Sequence, residues 1–133
     1  MQTSNFWQYP IGTNRIAISR AVPEGIAPGY HRYMKLAPGP WFKNAEYKNN
    51  PAAYRTQYFT EILAHLNPAE EWENLHKLAG GLEPILLCWE PLKKPGEYCH
   101  RRMVAEWFEE KLGVVVPEYQ AITVKNDSQL VLL

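Results

Sequence analysis

The chain has 133 residues, 46% of them hydrophobic and 21% charged, the makeup of one folded domain that buries about two-thirds of its unfolded surface. Basic and acidic residues balance at 14 each, so no net field draws the chain to nucleic acid or membrane, and contact with an anion must be local. No stretch reaches the roughly 18 apolar residues of a membrane span.

Residues 1–14 include Phe6, Trp7, Tyr9 and Pro10 and read as an irregular arm or short edge strand. They lack a basic-then-apolar export signal, so the expected location is the cytoplasm. Arg15–Ser19 is the first predicted strand, with Arg20 at its carboxyl end. Val22 to Pro40 carries four prolines and three glycines, too many for a regular element, so a long loop is expected over residues 22–41. It interleaves Tyr30, His31, Arg32, Tyr33 and Lys35, a pattern that suits either a phosphate clamp or a solvated loop with aromatic anchors. Trp41 and Phe42 pin its end.

Asn50-Pro51 opens a helix, with Asn as cap and Pro at the first helical position. Tyr54, Tyr58, Ile62 and Leu66 form its apolar stripe. Asn67-Pro68-Ala69-Glu70 repeats the start signal, and Gly80-Gly81 ends that second helix. Pro84 then opens a continuous apolar run, Ile85-Leu86-Leu87-Cys88, which suggests a strand covered on both faces, with Glu90 emerging at its end. Lys93-Lys94-Pro95-Gly96 reads as a turn.

From Cys99 the period becomes helical, with Met103, Trp107 and Leu112 on one stripe and Gly113 as the stop. Arg102 and Glu106, four apart, read as a surface pair. Val114–Val116 is expected as a short buried strand stopped by Pro117. Residues 121–133 suit a terminal hairpin, or a hydrophobic end that packs on a second copy and makes a homodimer.

The strand end at Glu90 and the helix start at Cys99 place a thiol, an imidazole and guanidinium groups where open α/β sheets put their ligand sites. A thiol at a helix amino end meets unpaired N–H groups and the positive dipole end, which favour thiolate. Cys99 reads equally as a small buried hydrophobe. Two cysteines with no export signal point to a reducing compartment, so a Cys88–Cys99 disulfide is not expected. With four scattered histidines, neither is a structural metal site. There is no P-loop and no complete G-x-G-x-x-G, so no cofactor is indicated.

Leu86-Leu87-Cys88-Trp89-Glu90, followed by Cys99-His100-Arg101, resembles the signature of the uncharacterised bacterial and phage family called domain of unknown function 488, the YeaO-like proteins. Ile18-Ser19-Arg20 resembles that family's first strand, which ends in an arginine. Leu36-Ala37-Pro38 with Trp41, and Tyr54 with Tyr58, resemble its middle region. The similarity spans roughly residues 15–119. The Thr-Ile-Gly-His-Ser-like segment that opens fuller members is not found here. The resemblance implies a single Rossmann-like three-layer α/β domain with a mainly parallel sheet and helices on both faces. It also implies a pocket lined by arginine and cysteine.

The functional expectation is an enzyme acting on a phosphate-bearing or nucleotide-related ligand. Cys99 would be nucleophile or general acid, His100 or Glu90 would handle the proton, and Arg20 and Arg101 would hold the anion. Ser19, Tyr30, Lys35, Trp41 and Tyr58 complete the expected binding set. The Cys-x5-Arg loop of thiol phosphatases is absent. The alternatives are a non-catalytic pocket for a nucleotide, nucleic-acid end or protein, with Cys99 structural, and a small interaction protein whose aromatic loop is the binding face.

Overall fold

The structure, a computed structural model, describes residues 1–90 and 98–120. The turn expected at Lys93–Gly96 and the hairpin expected over 121–133 lie outside the described residues. Four parallel strands form one sheet in the order β1-β4-β2-β3: β1 is Gln2–Asn5, β2 Arg15–Ala17, β3 His31–Arg32 and β4 Ile85–Cys88. Three α-helices accompany them: α1 at Pro51–Glu61, α2 at Pro68–Leu78 and α3 at His100–Leu112. The domain is therefore α/β with an all-parallel sheet. No helix among the described residues is long and apolar enough to cross a membrane.

Side chains alternate across the sheet with a period of two, and this sorts the core into two clusters. Ile16, Ile18 and Leu86 face a cluster built from Tyr54 and Tyr58 of α1, Leu75 of α2 and Met103, Val104, Trp107 and Phe108 of α3. Ala17, Ile85 and Leu87 face the other way, against Phe6 and the loop residues Tyr9, Val22, Ile26 and Tyr30. Helices on both faces are the sequence expectation. Among the described residues all three α-helices pack on one face, and loops cover the other. The connections 6–14 and 18–30 are interrupted by Pro10 and Gly12 and by Pro23, Gly25, Pro28 and Gly29, and form no helix.

The two faces follow from the path of the chain. Connections running toward β3, from β1 to β2 and from β2 to β3, lie on the loop face. Those running back, from β3 to β4 through α1 and α2 and from β4 through α3 to Glu118, lie on the helical face. Glu118 bridges in parallel to Thr3, on the side of β1 away from β4. This division is what crossovers of uniform hand produce.

Local signals explain the element ends. The Asn50 side chain accepts from Ala53 N–H at 3.1 Å, and that of Asn67 accepts from Glu70 N–H at 3.1 Å, so both helix starts are capped as their sequences predict. Gly113 takes φ 67°, the left-handed stop that L side chains resist. Asn5 Oδ1 accepts from the N–H groups of Trp7 and Gln8, turning the chain sharply out of β1.

Four details differ from expectation. β3 lies inside the predicted loop, because a two-residue strand carries no periodic signal. α1 ends at Glu61, and Leu63–His65 continues as a separate 3₁₀ turn. Val114–Val116 forms no strand: Val116 is buried but Val115 is exposed. Arg102 does not pair with Glu106. Its Nη1 donates to Thr3 Oγ1 and Val116 O, while Glu106 receives a two-point contact from Arg55 of α1.

Arg15 holds the loop face. Its side chain is fully buried and donates to the carbonyls of Gly12, Pro10, Ala27 and Pro28 at 2.7–2.9 Å, with the Tyr30 ring 5.7 Å away. A lysine has the charge but not the fork, so Arg15→Lys strands several carbonyls. Chemical denaturation of that variant is expected to show a stability loss of about 2–4 kcal/mol.

Candidate functional site: a crevice at the carboxyl edge of the sheet

β4 and β2 are neighbours whose exits leave in opposite directions, β4 over the helical face and β2 over the loop face. Where that happens, the carboxyl ends of adjacent strands part and leave a crevice. Here it measures about 770 Å³. Ser19 and Arg20 reach it from the end of β2, Trp89 and Glu90 from the end of β4, and Cys99 and His100 from the start of α3. The expected juxtaposition of Arg20 with Glu90, Cys99 and His100 is therefore present.

The floor is built by the first turn of α3. Cys99 occupies its cap position in an extended conformation (φ −147°, ψ 143°), with its own side chain free of any capping bond. The sulfur lies 3.1 Å from Glu90 Oε2 and 4.0 Å from His100 Nδ1. His100 is buried, and its Nε2 sits 2.7 Å from the carbonyl oxygen of Ile18. A carbonyl only accepts, so Nε2 carries the proton and Nδ1 presents its lone pair toward Cys99. Burial pushes the imidazole pKa down to about 4, with the nearby Arg101 charge acting in the same direction against the Ile18 bond. His100 is neutral near pH 7.

Cys88 reaches the same point from below. The two sulfurs are paired, against the expectation of separate thiols, across Cα positions 7.4 Å apart. Disulfides span Cα separations of roughly 4.4–6.8 Å, so the backbone is set for two sulfurs facing a shared point rather than for a relaxed S–S bridge. Cys88, Cys99 and His100 together offer three donor atoms within 4.8 Å of one another. The sequence reading missed this convergence because the cysteines stand eleven positions apart and neither belongs to a short-spaced motif.

The walls and rim include residues that the sequence gave no reason to single out. Lys43 and Lys48 line the crevice together with Arg20, and Phe42, Tyr54 and Tyr98 supply aromatic surface along with Trp89. Arg20 is steadied by an Nη1 bond to Pro38 O at 3.1 Å. Among the described residues, none of the three cations is ion-paired. Burial raises the Tyr54 hydroxyl pKa, and Glu90 and Tyr98 raise it further, so the phenol stays protonated and can donate.

Five expected binding residues stand elsewhere. Arg101 is fully buried behind the floor, donating to Glu118, Glu90 O and Cys88 Sγ. Tyr30 packs on the loop face. Lys35 is ion-paired with Glu71 of α2 at 3.6 Å. Trp41 packs edge-on against Tyr47 and Tyr54, behind the wall. Tyr58 is fully buried, donates to Leu36 O at 2.6 Å and lies 5.4 Å from the His100 ring, which it helps to hold. Arg101, Lys35 and Tyr58 have their polar atoms engaged with other partners, and Tyr30 and Trp41 have their rings packed.

No family model, curated protein or solved structure matches the chain.

The His100 environment has a direct consequence for stability. Its folded-state pKa lies below the ordinary value of about 6.5, so the unfolded chain takes up the proton first as pH falls. The contribution is present in full above about pH 6.5 and is lost progressively down to about pH 4, a loss of about 3 kcal/mol. Denaturation midpoints measured across that range are expected to fall with pH, and His100→Gln is expected to flatten the slope.

Proposed function

We propose that the crevice binds a phosphate-bearing ligand with an aromatic part, of the nucleotide class, and that the chain is an enzyme whose chemistry takes place at the Cys99–His100–Glu90 floor. The observation that carries this is the convergence of Arg20, Lys43 and Lys48 on one aromatic-walled crevice. Three cations against the single Glu90 carboxylate give a local positive field in a chain of zero net charge. A fork-shaped guanidinium and two ammonium groups suit phosphate oxygens, while Phe42, Tyr54, Trp89 and Tyr98 offer faces on which a base stacks. At the far end the Cys99 sulfur, the imidazole lone pair and the Glu90 carboxylate lie 3.1–4.0 Å apart, and reduction of the Cys88–Cys99 pair gives the thiol that proton handling requires.

The fold reading belongs with this proposal. A parallel sheet with its crevice where the connections from adjacent strands leave in opposite directions supports a Rossmann-like relation, with one helical layer and one loop layer. The resemblance to the domain of unknown function 488 proteins rests on the residues quoted above and adds the same location. A second reading, a binding pocket with structural cysteines in the cytoplasm or elsewhere, is favoured by one observation: Cys88 and Cys99 are paired and almost fully buried.

Titration calorimetry with inorganic phosphate, AMP and ATP, each against adenosine, tests the anion reading. The nucleotides are expected to bind and adenosine to bind at least about tenfold more weakly, since one charge-assisted bond is worth about 1.5–3 kcal/mol. Lys43→Ala with Lys48→Ala is expected to remove most of that difference. Equal affinity for AMP and adenosine would sink the reading. Nucleotide turnover lost in Cys99→Ser separates enzyme from binding module.

A further inference from the structure

We infer that Cys88, Cys99, His100 and Glu90 form a binding site for a zinc-class divalent metal ion. The inference goes beyond the anion reading and does not depend on the basic rim.

The donor set comes first. Cys88 Sγ, Cys99 Sγ and His100 Nδ1 converge within 4.8 Å, and Glu90 Oε2 stands 3.1 Å from one sulfur and 3.7 Å from the other. In a tetrahedral site with metal–sulfur bonds of about 2.3 Å and metal–nitrogen bonds of about 2.0 Å, donors lie roughly 3.5–3.8 Å apart. Glu90 Oε2, 3.7 Å from Cys88 Sγ, and His100 Nδ1, 4.0 Å from Cys99 Sγ, stand near that spacing already. The two sulfurs reach it by side-chain rotation once reduced, and the Cα separation of 7.4 Å leaves room for it. Two thiolates, one imidazole and one carboxylate are the mixture that selects zinc over calcium or magnesium, which take oxygen.

The supporting contacts point the same way. Metal-bound histidines donate the second ring N–H to a carbonyl or carboxylate, and His100 Nε2 is fixed on Ile18 O, leaving Nδ1 for the ion. The buried Arg101 Nη1 lies 3.2 Å from Cys88 Sγ, where it stabilises thiolate and offsets the excess negative charge of two thiolates and a carboxylate. Cys99 at the α3 amino end gains from the helix dipole as well. Three donors are buried and come from β4 and α3, whereas Glu90 is exposed on the crevice side. The ion would thus have three fixed ligands and one facing the open crevice, the distribution that marks zinc sites able to exchange their fourth ligand.

The test uses the full chain reduced with a phosphine and titrated with Co²⁺ under anaerobic conditions. One equivalent per chain is expected, with the intense sulfur-to-cobalt absorption of thiolate coordination and the visible bands of a tetrahedral site, and Zn²⁺ is expected to displace it. Glu90→Gln alters an exposed side chain and leaves the core intact, so it is expected to fold and to bind cobalt at least about 10-fold more weakly, since losing a ligand costs no less than losing an outer-shell partner that holds one. Cys88→Ser is expected to weaken the sulfur-to-cobalt absorption. Lys43→Ala with Lys48→Ala is expected to bind cobalt as before, so loss of anion binding and loss of metal binding are read independently. Reduced protein that takes up no cobalt, or cobalt binding unchanged in a folded Cys88→Ser, Cys99→Ser double variant, would overturn the assignment.

Discussion

The buried Arg101 guanidinium is the contact on which the geometry of the carboxyl edge depends. It donates to the Glu118 carboxylate at 2.8 and 3.0 Å, to Glu90 O at 2.6 Å and to Cys88 Sγ at 3.2 Å. One side chain therefore ties the end of β4, the start of α3 and the segment that bridges to β1. A buried ion pair is costly to desolvate and adds little stability over an apolar substitute, but it permits only one arrangement of the groups around it. That is what a site assembled from three separate stretches of chain needs. Neighbouring positions on α3 divide the labour: His100 turns toward Ile18 O of the β2 side, Arg101 toward Glu118, and Cys99 is left facing the crevice.

This division also explains where sequence reasoning succeeds and stops. Helix starts were legible because Asn50 and Asn67 act on backbone three residues away, and Gly113 acts on its own dihedral. Strand β4 was legible from an unbroken apolar run. The meeting of Arg20 with Cys99 and Glu90 followed from parallel topology alone. Arg101 was misassigned because a guanidinium beside a thiol looks the same in sequence whether it faces a ligand or a carboxylate seventeen residues on. Lys43 and Lys48 carried no local signal, since their place on the rim is set by how the segment before α1 folds back over the end of β2. Cys88 belonged visibly to a buried strand. Its convergence with Cys99 required the strand and the helix to be packed.

The loop face and the helical face have different physical characters. The helical face is fastened by ring and aliphatic packing, including Trp72 edge-on to Phe108 and Trp107 tilted against the same ring. The loop face has a small cluster around Phe6 and relies on Arg15 bonding four carbonyls. Directional bonds there fix a path for chain that has no periodic structure of its own.

The bond from His100 to Ile18 O joins residues 82 positions apart, and the contacts of Arg101 reach on to Glu118. The imidazole tautomer, the sulfur environment and the carboxylate position are thus all long-range properties, set by contacts among β2, β4, α3 and the segment around Glu118. A nascent or half-folded chain would carry the same cysteines and histidine without their preset chemistry. Any chemistry at this floor would for that reason depend on the folded packing of strand on helix, and the unfolded chain holds no such arrangement.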